Sequence, residues 1–229
     1  MNIAIIPARG GSKRIPNKNF RNFLGTPIIG RVIENLKSSD LFERIIVSTD
    51  SIEIATLAKE FGAEVPFIRP SELSDDLTGT SAVISHAVQA LGTAVSATTN
   101  VCCVYPTAVL LTSEDLKQAL CTLESGKWKF VFAGARFISS PLRGFVKYDS
   151  GGVGMIFPEN QESRSQDLPD CFFDVGLFYW SRVENWLQES EIFCSESTFV
   201  EIPEVRAIDI NTEKDWNHAE LVYEFTQRL

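Results

Sequence analysis

The sequence has 229 residues, 44% hydrophobic and 22% charged, which suits one α/β domain with a real core. Its formal net charge of -9 argues against a general nucleic-acid binder, whose phosphate contacts need a basic surface. Five cysteines without a CxxC pair, and only two histidines, point away from a disulfide framework, a zinc site or a His-rich metal centre.

Residues 3–6 are short and apolar and run into Pro7, which predicts a buried central strand opening into a loop. The segment lacks the basic, long-apolar and cleavage regions of a secretory signal, and no apolar run is long enough to span a membrane. The expectation is a cytoplasmic protein without a membrane partner. The loop itself reads Ala8-Arg9-Gly10-Gly11-Ser12-Lys13-Arg14. Arg9, Lys13, Arg14, Lys18 and Arg21 all fall in the first 21 residues, with no Asp or Glu among them. Glycine lets backbone N–H groups approach a phosphate, and the cations offset its charge. The second Gly-Lys-Ser/Thr element of a Walker A loop is missing, and so is a GxGxxG pattern, which disfavours a P-loop kinase and a dinucleotide-binding dehydrogenase. A solvated basic turn after a strand is the other reading of the same residues.

Residues 27–38 predict a helix with Pro27 in its first turn, and residues 44–48 a second buried strand. Thr49-Asp50-Ser51 opens a helix that runs to about Phe61 and stops at Gly62. A third strand is predicted over 64–68, a polar loop over 69–79 and a helix over about 80–91. A fourth strand follows over 101–105, then a helix capped by Ser113 and running to about Glu124, then a fifth strand over 130–135. Residues 136–170 break this rhythm with several glycines and prolines. Within them, 145–148 and 153–157 predict two antiparallel strands around a Gly-Gly turn. The stretch reads as an insertion that covers the site or makes a dimer contact. The sheet resumes over 173–180. The chain then carries a short strand at 207–210 and a helix over 212–227, introduced by a capping box of Thr212 and Asp215.

This order predicts a single domain over 1–229, with the insertion at about 136–170. Its core is a Rossmann-like, mostly parallel sheet with helices on both faces. Ligands of such sheets bind beyond the carboxyl ends of the strands, where Arg9, Asp50, Arg69 and Tyr105 fall.

The opening loop, together with Arg44-Ile-Ile-Val-Ser-Thr-Asp50, Arg69-Pro70-x-Glu72-Leu73-Ser74-x-Asp76, Tyr105-Pro106-Thr107 and Asp209-Ile210-Asn211-Thr212-Glu213, resembles the sugar-acid (acylneuraminate) cytidylyltransferases over nearly the whole chain. Pro158-Glu159-Asn160, Arg164-Ser165-Gln166-Asp167-Leu168 and Asp174-x-Gly176-x-Phe178-Tyr179-Trp180 resemble the pseudaminic acid subgroup in particular. The resemblance implies the nucleotidyltransferase fold, CTP and a nonulosonic (sialic-acid-like) sugar acid as substrates, a Mg2+ cofactor and a homodimer. By the same resemblance Arg9, Ser12, Lys13 and Lys18 meet the triphosphate, and Asn19 and Arg69 meet the cytidine. Thr80 falls where a hydroxyl meets the base or ribose, and Tyr105 falls near the sugar. Asp174 and Leu177 fall in the sugar-side motif, and Asp209 matches a metal-binding carboxylate. From the residues alone, Arg69 could instead pair with Asp75 or Asp76, and Asn19 could be a turn residue.

Two positions depart from the family pattern. Asn211 stands where the metal motif usually has a second aspartate. Its amide oxygen still ligates a cation but brings no charge, so weaker metal binding is expected; alternatively Asn211 caps the following helix. Leu177 stands where the subgroup usually has glutamine, which removes an amide from the sugar side. An active enzyme with an unusual sugar pocket is the leading expectation. A relative that binds nucleotide with little turnover is the alternative, as is a cytidylyltransferase for legionaminic or N-acetylneuraminic acid.

Overall fold

The computed structural model describes residues 1–227. In chain order the elements begin with β1 (Asn2–Pro7), β2 (Asn22–Phe23), β3 (Thr26–Pro27), α1 (Ile28–Ser38), β4 (Arg44–Ser48) and α2 (Ile52–Glu60). They continue with α3 (Thr80–Leu91), β5 (Asn100–Val104), α4 (Ser113–Glu124), β6 (Phe130–Arg136), β7 (Phe145–Lys147) and β8 (Val153–Met155). The last are β9 (Phe172–Arg182), α5 (Val183–Leu187), β10 (Ser197–Glu201) and α6 (Glu213–Thr226).

Ile3, Ala4, Ile5 and Ile6 are fully buried, as a strand covered on both faces requires. The six-stranded sheet has the order β10-β6-β9-β5-β1-β4. β1 runs parallel to β4 and β5, and β10 runs parallel to β6. β9 is antiparallel to both of its neighbours, so five of the six strands share one direction. The mostly parallel sheet predicted from the strand–helix order is therefore present. One face is closed by α1, α2, α4 and α6 through Ile29, Ile33, Ile54, Leu116, Leu120 and Trp216. The other is closed by α3 and α5 through Ile84, Val88, Leu91 and Trp186.

Some expectations are corrected. Residues 64–68 form no strand: Glu64 makes a single bridge to Ile46, and Pro66 has no N–H to continue a ladder. The helix over 113–124 is capped by Thr112, not Ser113, in a reciprocal box with Asp115. Residues 207–210 are not a strand either; the Ile208 N–H turns back onto the Arg206 carbonyl. Asn211 does not cap α6. Thr212 does, with Asp215 completing the predicted box. The hairpin in the insertion is present but shorter, Phe145–Lys147 against Val153–Met155. α5, β10 and the short β2–β3 pair are additional to the elements expected from the sequence.

Candidate active site

The site begins where β1 ends. The Gly10 N–H donates to Asp50 Oδ1 at 2.9 Å, which ties the basic loop to the turn after β4. The approach is close: a Cβ on Gly10 would lie 3.0 Å from Ser51 Cβ. Asn19 is buried, and its amide donates to the Arg9 carbonyl at 2.9 Å, so it braces the loop from the other side. Beyond these residues opens a cavity of about 630 Å³. It lies past the carboxyl ends of β1, β4 and β5, the general location expected for a ligand on this kind of sheet.

Ten of the predicted residues line this one cavity: Arg9, Ser12, Lys13, Lys18, Asn19, Arg69, Thr80, Tyr105, Asp209 and Asn211. Arg14 lines it as well. Arg69 does not pair with Asp75 or Asp76. Its Nη2 faces Asp50 Oδ1 at 3.8 Å, while Arg9 and Lys13 both reach the Asp76 carboxylate at 2.5 Å. Arg9 also donates to the Asp75 carbonyl at 2.8 Å. The part of the polar loop 69–79 that carries Asp75 and Asp76 thereby folds over the basic one. Asp76 is held below the usual carboxylate range by hydrogen bonds from Lys13 and Arg9.

Arg69 is only 4% exposed, and its Nε and Nη2 have no hydrogen-bond partner among the described residues. Burial lowers the guanidinium's pKa, opposed by Asp50. Arg69 lines the cavity, and a cation desolvated in this way is arranged to meet an acceptor from outside the chain.

On the opposite wall the Thr80 and Tyr105 hydroxyls are 2.6 Å apart. Tyr179, buried behind them on β9, meets Tyr105 edge to face with ring centroids 5.7 Å apart. Its hydroxyl donates to Asp174 Oδ2, whose companion Oδ1 accepts the Gly176 N–H at 3.0 Å. Burial raises the Tyr105 phenol to about 12 and pushes the Tyr179 phenol well upward. Asp174 does not line the cavity; it stands one layer behind it. Leu177 also lies off the cavity, 2% exposed in the core, and only its backbone carbonyl touches the wall by accepting the Tyr105 N–H at 3.0 Å. β9 is irregular here. Phe132 of β6 faces Tyr179 and Gly134 faces Asp174, so two steps of β6 span five of β9. Gly176 takes up the slack at φ +66, and a Cβ there would lie 3.6 Å from Asp209 Cγ and 3.7 Å from the Tyr105 ring. Tyr179 belongs to the same motif as Asp174, and its place beside Tyr105 is legible only from the fold.

The third wall comes from the segment before α6. Ile208 and Ile210 are buried while Asp209 points out, so an apolar–polar alternation survives without a strand. The Asn211 amide donates to Asp209 Oδ2. Lys18 Nζ donates to the Ile210 carbonyl at 2.7 Å. Burial lowers the Lys18 pKa, partly offset by Asp209. Asp209 is open to water through the cavity mouth, yet the protein around it desolvates the carboxylate and raises its pKa against the pull of Asn211 and Lys18. It is an oxygen anion short of positive charge, facing the cavity beside an amide. That donor set fits a hard divalent cation whose remaining ligands are phosphate oxygens and water. Among the described residues no cluster of three or more His, Cys, Asp or Glu could hold such an ion without them.

Comparison with known proteins places the chain among relatives. A family model described as cytidylyltransferase matches residues 3–143. The pseudaminic acid cytidylyltransferase of Campylobacter jejuni is 39% identical over 97% of this chain and 96% of its own length. The CMP-N,N'-diacetyllegionaminic acid synthase of Legionella pneumophila is 45% identical, but over 39% of this chain and 37% of its own. A solved CMP:2-keto-3-deoxy-manno-octonic acid synthetase, complexed with CTP, superposes with a TM-score of 0.69 over 100% of this chain and 99% of that one at 15% identity, a likeness of fold.

Proposed function

The chain belongs to the cytidylyltransferase family, and from that premise we propose that it transfers CMP from CTP to a nonulosonic sugar acid of the pseudaminic type, releasing pyrophosphate. The observation that carries this reading is the shared cavity. Arg9, Lys13 and Lys18 of the first loop and buried Arg69 from a second, distant one line it together, and the relative matched over almost its full length is a pseudaminic acid cytidylyltransferase. The legionaminic acid enzyme matches only a part of the chain, so the pseudaminic reading is preferred.

In the reaction the sugar's anomeric hydroxyl gives up its proton to solvent as its oxygen attacks the α-phosphorus, the bond from that phosphorus to the bridging oxygen breaks, and pyrophosphate leaves. Arg9, Lys13 and Lys18 hold the β- and γ-phosphates and take up the charge that develops on the leaving group. Arg69, with Asn19 beside it, meets the acceptor groups of the cytidine. Thr80 and Tyr105 border the remainder of the cavity, where the second substrate is oriented. Rate enhancement then comes from positioning and fixed charge, without a covalent intermediate on the protein. Asp209 and Asn211 are the residues that would hold Mg2+. When bound, that ion supplies positive charge to the phosphate oxygens.

A homodimer through the insertion is part of the same proposal, supported by Phe145, Val146, Tyr148, Val153 and Ile156, which all stand exposed there. A cytoplasmic location is supported by five free cysteines, the state kept in a reducing compartment. No helix among the described residues is long and apolar enough to cross a membrane.

The test is pyrophosphate release from CTP, with UTP as control, against a panel of pseudaminic, legionaminic and N-acetylneuraminic acids in Mg2+. Release with CTP and pseudaminic acid is expected. Release only with another acid reassigns the substrate. CTP binding by calorimetry with no release from any acid makes the chain a nucleotide-binding relative instead.

A further inference from the structure

No side chain of residues 70–80 is buried. The stretch is fixed at both ends. Before it, the N–H of buried Arg69 donates to the Thr49 carbonyl at 2.8 Å; after it, α3 starts at Thr80. In between it keeps its own shape. Asp75 Oδ1 accepts from the Leu77 N–H at 3.0 Å and from the Thr78 N–H and hydroxyl at 2.7 Å each. The tip, Leu77, is 91% exposed. The bonds that tie this segment to the basic loop are those of Arg9 and Lys13 to Asp75 and Asp76. Ion pairs as open as these are weak and readily exchanged. Asp76 places one oxygen on each cation, Oδ1 on Arg9 Nη2 and Oδ2 on Lys13 Nζ, as neighbouring oxygens of a phosphate chain would be placed. All three side chains line the cavity, so a phosphate brought to this pair meets the Asp76 charge at contact distance.

We propose that Asp76 is an internal competitor for the subsite of the β- and γ-phosphates: it gives up Arg9 and Lys13 to incoming CTP and, after the reaction, takes them back from pyrophosphate. The proposal rests on the reading of Arg9 and Lys13 as the cations that hold those phosphates. Because the two carboxylate oxygens sit on different cations, the exchange runs one ion pair at a time, and pyrophosphate is lifted from one cation while still held by the other. The affinity of the subsite is scaled by the fraction of molecules in which Asp76 has let go. Pyrophosphate and CTP are weakened alike. CMP is not, since its single phosphate takes the α position and leaves Arg9 and Lys13 to Asp76.

Calorimetric titration of inorganic pyrophosphate and of CMP, without divalent cation, into the unaltered protein, Asp76→Asn and Glu72→Gln tests this. Glu72→Gln removes one negative charge from the same segment, at a side chain that does not line the cavity. Asp76→Asn is expected to bind pyrophosphate about 1.5- to 5-fold more tightly, the range of an exposed ion pair, with its affinity for CMP unchanged. Glu72→Gln should match the unaltered protein for both. In turnover, pyrophosphate should inhibit Asp76→Asn at a concentration lower by the same factor. Equal pyrophosphate affinities overturn the proposal, and so does weaker binding by Asp76→Asn, which would make the segment a clamp on the phosphates. An equal tightening of CMP, or the same gain in Glu72→Gln, also overturns it, because the effect would then be a diffuse field of charge. Pyrophosphate that binds neither the unaltered protein nor Asp76→Asn at millimolar concentration does the same. The titrations need no turnover. Failure of the unaltered protein to release pyrophosphate from CTP with any sugar acid would count against the functional reading, and the titrations would still decide this one.

Discussion

Arg69 Nη2 stands 3.8 Å from Asp50 Oδ1, and this ion pair is the counter-charge offered to a guanidinium that is almost wholly buried. The separation is too long for a hydrogen bond, so the pair steadies Arg69 without saturating it. Arg69→Met should therefore lower CTP affinity about 10- to 100-fold, as loss of a charge-assisted hydrogen bond does. Thermal stability should hold or rise, because a buried charge with free donors is removed. Calorimetric titration and a thermal melt on the same preparation check both halves.

Asp50→Ala should behave in the opposite way. It leaves the Gly10 N–H unpaired and deprives Arg69 of its ion pair at once. A cost of about 1.5–3 kcal/mol is expected from the charged hydrogen bond alone, read as a fall of several degrees in Tm. KM for CTP should rise with it, since the basic loop loses its anchor.

Asp76 bridges Arg9 and Lys13 across the mouth of the cavity. The carboxylate competes with any phosphate for those two cations. Asp76→Asn should tighten CTP binding by about 1.5- to 5-fold, the range of an exposed ion pair. The gain should shrink as salt rises from low to near-molar concentration, since exposed charges are screened. Equal affinities of the two proteins at low salt would refute this.

Much of this site could be read from the sequence because its parts are local. The glycines and cations of residues 9–18 and the turn at Thr49–Ser51 each carry their meaning within a few residues. The pairing of Asp76 with Arg9 is not of that kind; it depends on how the loop 69–79 folds back, and no periodicity encodes it. The reversed direction of β9 was equally hidden. Because β9 runs against its neighbours, its amino-terminal half arrives at the same end as their carboxyl termini, which brings Asp174 behind the cavity. The predicted strand at 207–210 failed for a third reason. Its alternation of buried and open residues is real, but the Arg206–Ile208 turn withdraws the backbone from the sheet. Asp209 and Asn211 nevertheless lie together, through the bond between their side chains. Leu177 followed the motif and not the pleat, and it packs into the core.

Asp209 and Lys18 make stability depend on pH in a definite sense. The folded-state pKa of Asp209 is raised, so its contribution is fully present below the unfolded value of 3.8 and is lost as pH rises through the folded one. That of Lys18 is lowered, so its contribution is present above 10.5 and is lost as pH falls through the folded value. At neutral pH both charges are carried at the expense of the fold, softened for Asp209 by water in the cavity. Asp209→Asn should raise Tm at pH 7 in metal-free buffer, with the gain vanishing below about pH 3.8. Catalysis should be lost. A pH series of melts for both proteins decides it.

Asn211→Asp replaces a donor to Asp209 with a second carboxylate. Like charges so close should lower Tm in chelator, whereas added Mg2+ should stabilise the variant more than the unaltered protein. The Mg2+ concentration for half-maximal pyrophosphate release should fall. A variant with the same Mg2+ response as the unaltered protein would remove Asn211 from the metal-holding wall.

The bond from Lys18 to the Ile210 carbonyl joins positions 192 residues apart. Arg21 repeats the span by pairing with Glu213 and lying over the Trp216 ring. During synthesis the basic loop emerges long before the segment that completes its far wall. A growing chain lacking residues 209–216 would have the β1 loop and its cations but no closed chamber. Nucleotide should thus favour the finished fold over every earlier stage, and CTP in the refolding mixture acts on the last step of assembly, not the first.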